Sequence, residues 1–312
     1  MRCLFLALTL AGLGALASPH GQGAPAMRRE AGLLHISAIA VDGDERPVTN
    51  LKKEDLEIWI GGYRVPIEQL TLASDESDER SGRLTVLLLD DMTLQPAMTS
   101  RVREIARRFV TRMVPGDQMA VVTLNGQGME STSDRTRLLR SIDTFNLLPV
   151  GTLRLDSLGE HVLKTVASLS RQLAQQPGGR KTIVGIGAAW LFDTPIPPPT
   201  VGRELRAEWT DAMRATASAD THLYVIDPSG VGASPTLNGS SGFARETGGH
   251  AFLNTNDYNG AVDRIMREAW SYYVITVADP PVRRTSDLRE LDVRLKRRGV
   301  TVRARRAILG RP

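Results

Sequence analysis

Leu84-Thr85-Val86-Leu87-Leu88-Leu89-Asp90 is an unbroken apolar run that ends on an acid, and Asp91 follows at once. Further along, Lys181 to Gly187 repeats the apolar pattern with no acid after it. Runs of this kind, bounded by loop signals, read as core strands of a parallel sheet covered on both faces. Ligands of such sheets bind at the carboxyl ends of the strands. Asp90 therefore stands where chemistry or metal binding is expected. The rest of the chain decides whether it has partners for either.

Outward from that strand, helix and strand signals alternate. Val102, Ile105, Ala106, Phe109, Val110 and Met113 fall on one helical face, and Pro115-Gly116 ends it. Met119 to Leu124 reads as the next strand. Leu155, Leu158, Val162, Val166, Leu169 and Leu173 form a second helical stripe, stopped by Pro177-Gly178-Gly179 before the strand from Thr182. Leu205, Trp209, Ala212 and Met213 mark another helix, His222 to Ile226 a strand, and Tyr258, Ala261, Val262 and Ile265 a last helix after a short strand near His250. This βαβ order predicts an α/β domain: a doubly wound, mainly parallel sheet, over 84–278.

The ends read differently. Residues 33–73 predict a β segment, with Leu56, Ile58 and Ile60 and then Tyr63, Val65 and Ile67 alternating around Gly61-Gly62 as a hairpin. Residues 279–312 predict a C-terminal hairpin turning at Arg298-Gly299. Ser74 to Ser81 is polar and reads as a linker. Each end offers too few strands to be stable alone. The expectation is one small β-rich subdomain built from both flanks, with the α/β domain inserted between them.

Of 312 residues, 41% are hydrophobic, enough for one large core with a small satellite. The formal charge of +4 gives no case for nucleic acid as a partner. Basic residues gather at the end, including Arg289, Lys296, Arg297, Arg298, Arg303, Arg305 and Arg306. They read as the solvated outer face of a hairpin or as a contact for an anionic partner, such as a polyanionic surface polymer. At the start, Arg2 precedes an apolar stretch from Cys3 to Ala17 that is too short to span a bilayer, and Ala15-Leu16-Ala17 has the form of a cleavage site. Residues 1–17 are expected to be a signal peptide and 18–32 a flexible lead-in. Cys3 is the sole cysteine and would leave with the signal, so the mature chain has no thiol chemistry. The expected location is the periplasm or outside the cell, with no transmembrane segment in the mature chain.

In order along the chain, several short motifs resemble the bacterial von Willebrand factor A-related domain proteins. They are Val41-Asp42, Arg46-Pro47-Val48, Leu51, Asp55-Leu56 and Gly61-Gly62, then Val86 to Asp91, Gly151-Thr152 and Gly179-Arg180-Lys181. Phe243 to Phe252, Tyr273-Val274-Ile275 and Val300 to Arg305 continue the series, so the resemblance covers nearly the whole mature chain. It implies a von Willebrand factor A-like sheet and an adhesion or protein-interaction role. It also implies a metal-ion-dependent adhesion site that holds Mg²⁺ with Asp-x-Ser-x-Ser, a Thr and a later Asp. Asp90 matches the first Asp and Thr152 the Thr. Met92 and Leu94 stand where the serines should be, and Ala188 where the last Asp should be. Mg²⁺ needs hard oxygen ligands; a thioether is soft and leucine donates nothing. The set reads as degenerate, with Asp90 and Thr152 vestigial and no cofactor. A shifted set of Asp91, Thr93 and Gln95 is the alternative.

Without a cation, Asp90 reads as a structural acid capping the following loop. Recognition then passes to a binding face of Asp91, Thr93, Trp190, Phe192 and Ser229. Ala188 to Val201 carries Trp190, Phe192 and a run of prolines, and Ser229 to Gly242 is rich in Gly and Ser. Both follow core strands, and exposed aromatics suit a protein-binding hot spot. The competing reading tucks Trp190 and Phe192 against a helix. Enzyme motifs are missing: no Gly-x-Ser-x-Gly, no phosphate-binding glycine loop, no second Asp two residues after Asp90, and histidines without metal spacing. The sequence therefore predicts a secreted, non-enzymatic module that binds a protein in the cell envelope or outside the cell. The alternative is a hydrolase using Asp90 or Asp91.

Overall fold

The computed structural model describes residues 32–73, 82–126, 128, 130–147, 155–187, 203–232, 239–279 and 288–309. The expected signal peptide, nearly all of the lead-in and the 74–81 linker lie outside them. The chain opens with β1 (Leu33–Asp42), β2 (Leu56–Ile60), β3 (Tyr63–Val65) and β4 (Ile67–Ala73). Then come β5 (Leu84–Leu89), α1 (Thr99–Thr111), β6 (Gln118–Thr123), α2 (Arg135–Thr144), α3 (Leu155–Ala174), β7 (Lys181–Ile186), α4 (Arg203–Ala219), β8 (Thr221–Ile226), α5 (Gly239–Glu246), β9 (Ala251–Phe252) and α6 (Tyr258–Trp270). It closes with β10 (Tyr272–Ala278), β11 (Leu288–Leu295), β12 (Val300–Ala304) and β13 (Ala307–Leu309).

The central segment forms a parallel sheet of order β6-β5-β7-β8-β9. Outside β6, Thr132 and Gly128 add short antiparallel bridges to Met119 and Val122. Alternation along each strand feeds two cores, because successive side chains point to opposite faces. Leu87 and Leu89 pack with Val102, Phe109, Ile142 and Ile265 from α1, α2 and α6. Val86 and Leu88 pack with Val162, Val166, Trp209 and Met213 from α3 and α4. Two covered faces explain why the strands read as continuous apolar runs. The sequence reading passed over α2. Its start is signalled by Asp134, whose carboxylate accepts the Arg137 amide at 3.0 Å, ahead of the buried Leu138 and Ile142.

Both chain ends meet in a β-sandwich with sheets β12-β1-β10-β4 and β13-β11-β2-β3. Ile36, Ile58, Ile275, Leu291 and Ile308 fill the space between them. Gly61 (φ +57°) and Gly62 (φ +82°) make the primed turn that pairs β2 with β3. Pro66 then lies between β3 and β4, and the chain changes sheets there.

Two boundaries differ from the sequence reading. β10 pairs with β1 and β4, so the α/β domain ends at Trp270 rather than at 278. The expected C-terminal hairpin is not formed either: β11 pairs with β2 in one sheet and β12 with β1 in the other. The reason is burial. Leu291, Val293 and Leu295 on one strand and Val300, Val302 and Ala304 on the next all belong to one core, and splitting the strands lets the two stripes face each other. Among the described residues no helix is long and apolar enough to cross a membrane.

Candidate functional site at the crest of the parallel sheet

β5 lies between β6 and β7, so the winding of the sheet reverses at its carboxyl end. That is where doubly wound sheets form a ligand crevice. Asp90 sits at this point with no exposed surface. Its Oδ1 accepts the backbone amides of Met92 at 3.1 Å and Thr93 at 2.9 Å, and its Oδ2 accepts the Thr93 hydroxyl. Burial raises the Asp90 carboxyl from 3.8 to about 6, against the pull of the Thr93 and Met92 hydrogen bonds.

The seat for this side chain is Gly187, at the end of the neighbouring β7. A Cβ there would come 2.5 Å from Asp90 Oδ2 and 2.6 Å from Asp90 Cβ. The glycine after an apolar strand is the sequence signal that was passed over. Gly187→Ala is expected to cost about 1–3 kcal/mol of stability by overpacking. Urea unfolding of the variant against the parent checks it.

The other crest residues fall out as follows. Asp91 is 3% exposed, and its carboxylate accepts the Asn125 amide from the end of β6 at 3.2 Å. It is a strut between two strand ends, which corrects its expected place on an open binding face. Thr93 turns its hydroxyl inward to Asp90, so it too is engaged. Leu94 is buried among the side chains of α1 and β5, and Met92 packs against the opposite core. The apolar residues at the expected serine positions therefore serve the two cores. Thr152, Trp190 and Phe192, with Ala188, lie outside the described residues.

Ser229 lies on the crest in a loop held from several sides. Its amide donates to Asp227 Oδ1 at 2.8 Å. Arg101 of α1 reaches the Pro228 carbonyl at 2.9 Å and the Ser229 carbonyl at 3.4 Å, and the Tyr258 hydroxyl donates to Pro228 at 3.1 Å. The Asn256 and Asn254 side chains accept the amides of Val231 at 3.3 Å and Gly232 at 3.0 Å. The loop presents Val231 with 62% of its surface exposed. Val231 was not singled out from the sequence; an isolated valine between glycines carries no periodicity. The expected unstructured stretch from Ser229 to Gly242 is also shorter than it reads, because α5 begins at Gly239.

No family model matches the chain, and no curated protein matches it. Among solved structures, manganese-loaded Plasmodium vivax TRAP protein is similar at 12% identity and a TM-score of 0.39, over 76% of this chain and 96% of that one. The N-terminal domain of TFIIH p34 is similar at 13% identity and a TM-score of 0.33, over 59% of this chain and 96% of that one. The class of the domain stands on its own sheet order and layers: a doubly wound α/β fold carrying a β-sandwich made from its two flanks.

Proposed function

We propose that the chain is a non-enzymatic protein-interaction module of the von Willebrand factor A-related kind, working in the periplasm or outside the cell, with a crest that has lost its cation site. The observation that carries this reading is the closed Asp90 carboxylate, which has no exposed surface and whose oxygens are both bonded within its own loop. The residues present do not fit Mg²⁺. Met92 and Leu94 offer no hard oxygen where the serines are expected. The shifted set fares no better, since Asp91 and Thr93 are both engaged inside the protein.

The same burial weighs against a hydrolase, because substrate cannot reach an acid that lies beneath its own loop. Recognition is then left to the loop surface: Val231 on its fixed loop, with Trp190 and Phe192 as proposed anchors. The partner is a protein of the cell envelope or of the surroundings of the cell. Titration calorimetry with Mg²⁺ and Mn²⁺ should show no sub-millimolar binding; such binding, lost in Asp90→Ala, would overturn the reading. Capture of a partner from envelope extract should be lost in Trp190→Ala/Phe192→Ala and in Val231→Asp, each with an unchanged unfolding midpoint. Capture that survives all of these would move the contact face elsewhere.

A further inference from the structure

At the opposite end of the parallel sheet, where the sandwich packs against it, five basic side chains gather, three of them buried and two partly buried. Arg180, Lys181, Arg264, Arg303 and Arg305 converge there. The acids that pair with them are Asp220 and Glu268, with Glu45 reaching Arg264 from the exposed side at 2.7 Å, and Glu246 is buried nearby beside Arg245 and Arg306. Arg303 gives one nitrogen to Glu268, while its Nε and Nη1 are buried without a hydrogen-bond partner. Arg180 likewise leaves Nε and Nη1 unpartnered, and Arg305 leaves Nε. A buried guanidinium N–H without an acceptor is costly, so several in one place mark a site that favours an anion.

A cleft of about 630 Å³ opens beside this cluster, between α5 and β9 of the α/β domain and β11 and β12 of the sandwich. That volume suits a small molecule, and clefts between domains are common ligand sites. Arg303 and His250 line the cleft, with Arg245 and Arg306 as exposed side chains at its margin. Burial, and then Arg264 and Arg303, hold His250 down at about 4, so it is neutral at pH 7.5. Two acids also line it. Asp292 is paired with Arg294 at 2.7 Å, and Glu290 is exposed. Arg245 and Arg306 flank the buried Glu246 without forming an ion pair among the described residues.

We propose that this cleft binds a small multivalent oxyanion, a phosphate or a polycarboxylate, seated between Arg303 inside and Arg245 and Arg306 at the margin. Guanidinium forks match both oxyanions, and the ligand would join the two domains by touching both. This site is separate from the crest and does not depend on its reading.

The test is titration calorimetry of the full chain with inorganic phosphate and, separately, with citrate, at pH 7.5 and constant ionic strength. At least one probe should bind saturably with a Kd below about 1 mM, and which one binds identifies the chemistry. Arg245→Ser/Arg306→Ser changes exposed side chains and should keep the parent's unfolding midpoint. It should weaken binding by about tenfold or more. Arg303→Lys keeps a cation beside Glu268 but loses the fork, and should weaken the same probe. Absence of saturable heat with both probes overturns the proposal. So does binding that persists unchanged in the double variant.

Discussion

Asp90→Asn should make the folded chain more stable at pH 8 by about 2–3 kcal/mol and leave it nearly unchanged at pH 4. The direction follows from the shift. Burial lifts the carboxyl from 3.8 to about 6, so the folded state keeps a proton that the unfolded chain releases between those values. Below about 3.8 both states are protonated and nothing is lost. As pH rises towards 6 the folded state is progressively penalised, and above 6 the penalty is complete. Asparagine removes the titration and keeps the bonding. Its Oδ1 still accepts the Met92 and Thr93 amides, and its Nδ2 donates to a Thr93 hydroxyl that turns to accept. Urea unfolding of both proteins from pH 4 to pH 8 should give curves that diverge as pH rises. A variant that is less stable than its parent at pH 8 would sink the idea, because it would mean that the site wants a negative charge, as a cation ligand would.

Repetition made the α/β layer legible. Each core strand is an apolar run, and each long helix shows one apolar face, so the type and order of these long elements followed from periodicity, while the short α2 and α5 were not legible. The sandwich was legible as a joining of ends, because neither flank had enough strands to stand by itself. Its pairing was not. A turn signal at Arg298-Gly299 is the same whether the next strand returns beside β11 or crosses to the opposite sheet. The choice is made by β1 and β2, which are far away in sequence. At the crest, Asp90 was found because an acid after a buried strand stands out. The closure of its carboxylate was legible only as the alternative of a loop cap, since it depends on Gly187 from another strand. Asp91 was misplaced because polarity at a strand end reads as exposure, whereas its carboxylate binds the Asn125 amide. Of the basic residues at the end of the chain, Lys296, Arg297, Arg298 and Arg306 are exposed as expected, and Arg305 was misread for the same reason. It looks like part of a solvated face, yet it is 2% exposed.

That buried arginine carries the other large effect: Arg305→Met is expected to cost about 3–5 kcal/mol. Arg305 sits between β12 and β13 and extends into the α/β domain. Its Nη2 donates to the carbonyls of Thr216 and Thr221, each at 3.2 Å, and approaches Asp220 Oδ1 at 3.4 Å. Asp220 is also bound by the Ser37 hydroxyl of β1 at 2.6 Å and by His222 Nε2 at 3.1 Å. Two elements of the sandwich thus converge on one carboxylate at the base of the parallel sheet. In the parent, burial and then Arg180 hold His222 down at about 3, with Arg305 adding to the effect, so it meets Asp220 as a neutral ring at pH 7. Methionine fills much of the space but leaves Asp220 charged in a buried site, with Ser37 and the imidazole as partners. Adding Asp220→Asn removes that stranded charge. Asn also tolerates the left-handed backbone at this position, where φ is 49°. The double variant Arg305→Met/Asp220→Asn should therefore be more stable than Arg305→Met alone, recovering about half or more of the loss. Urea unfolding of the parent, the single variants and the double variant measures the coupling directly. If the two losses simply add, the arginine acts through its carbonyl contacts alone, and the carboxylate is not the link that holds the sandwich to the sheet.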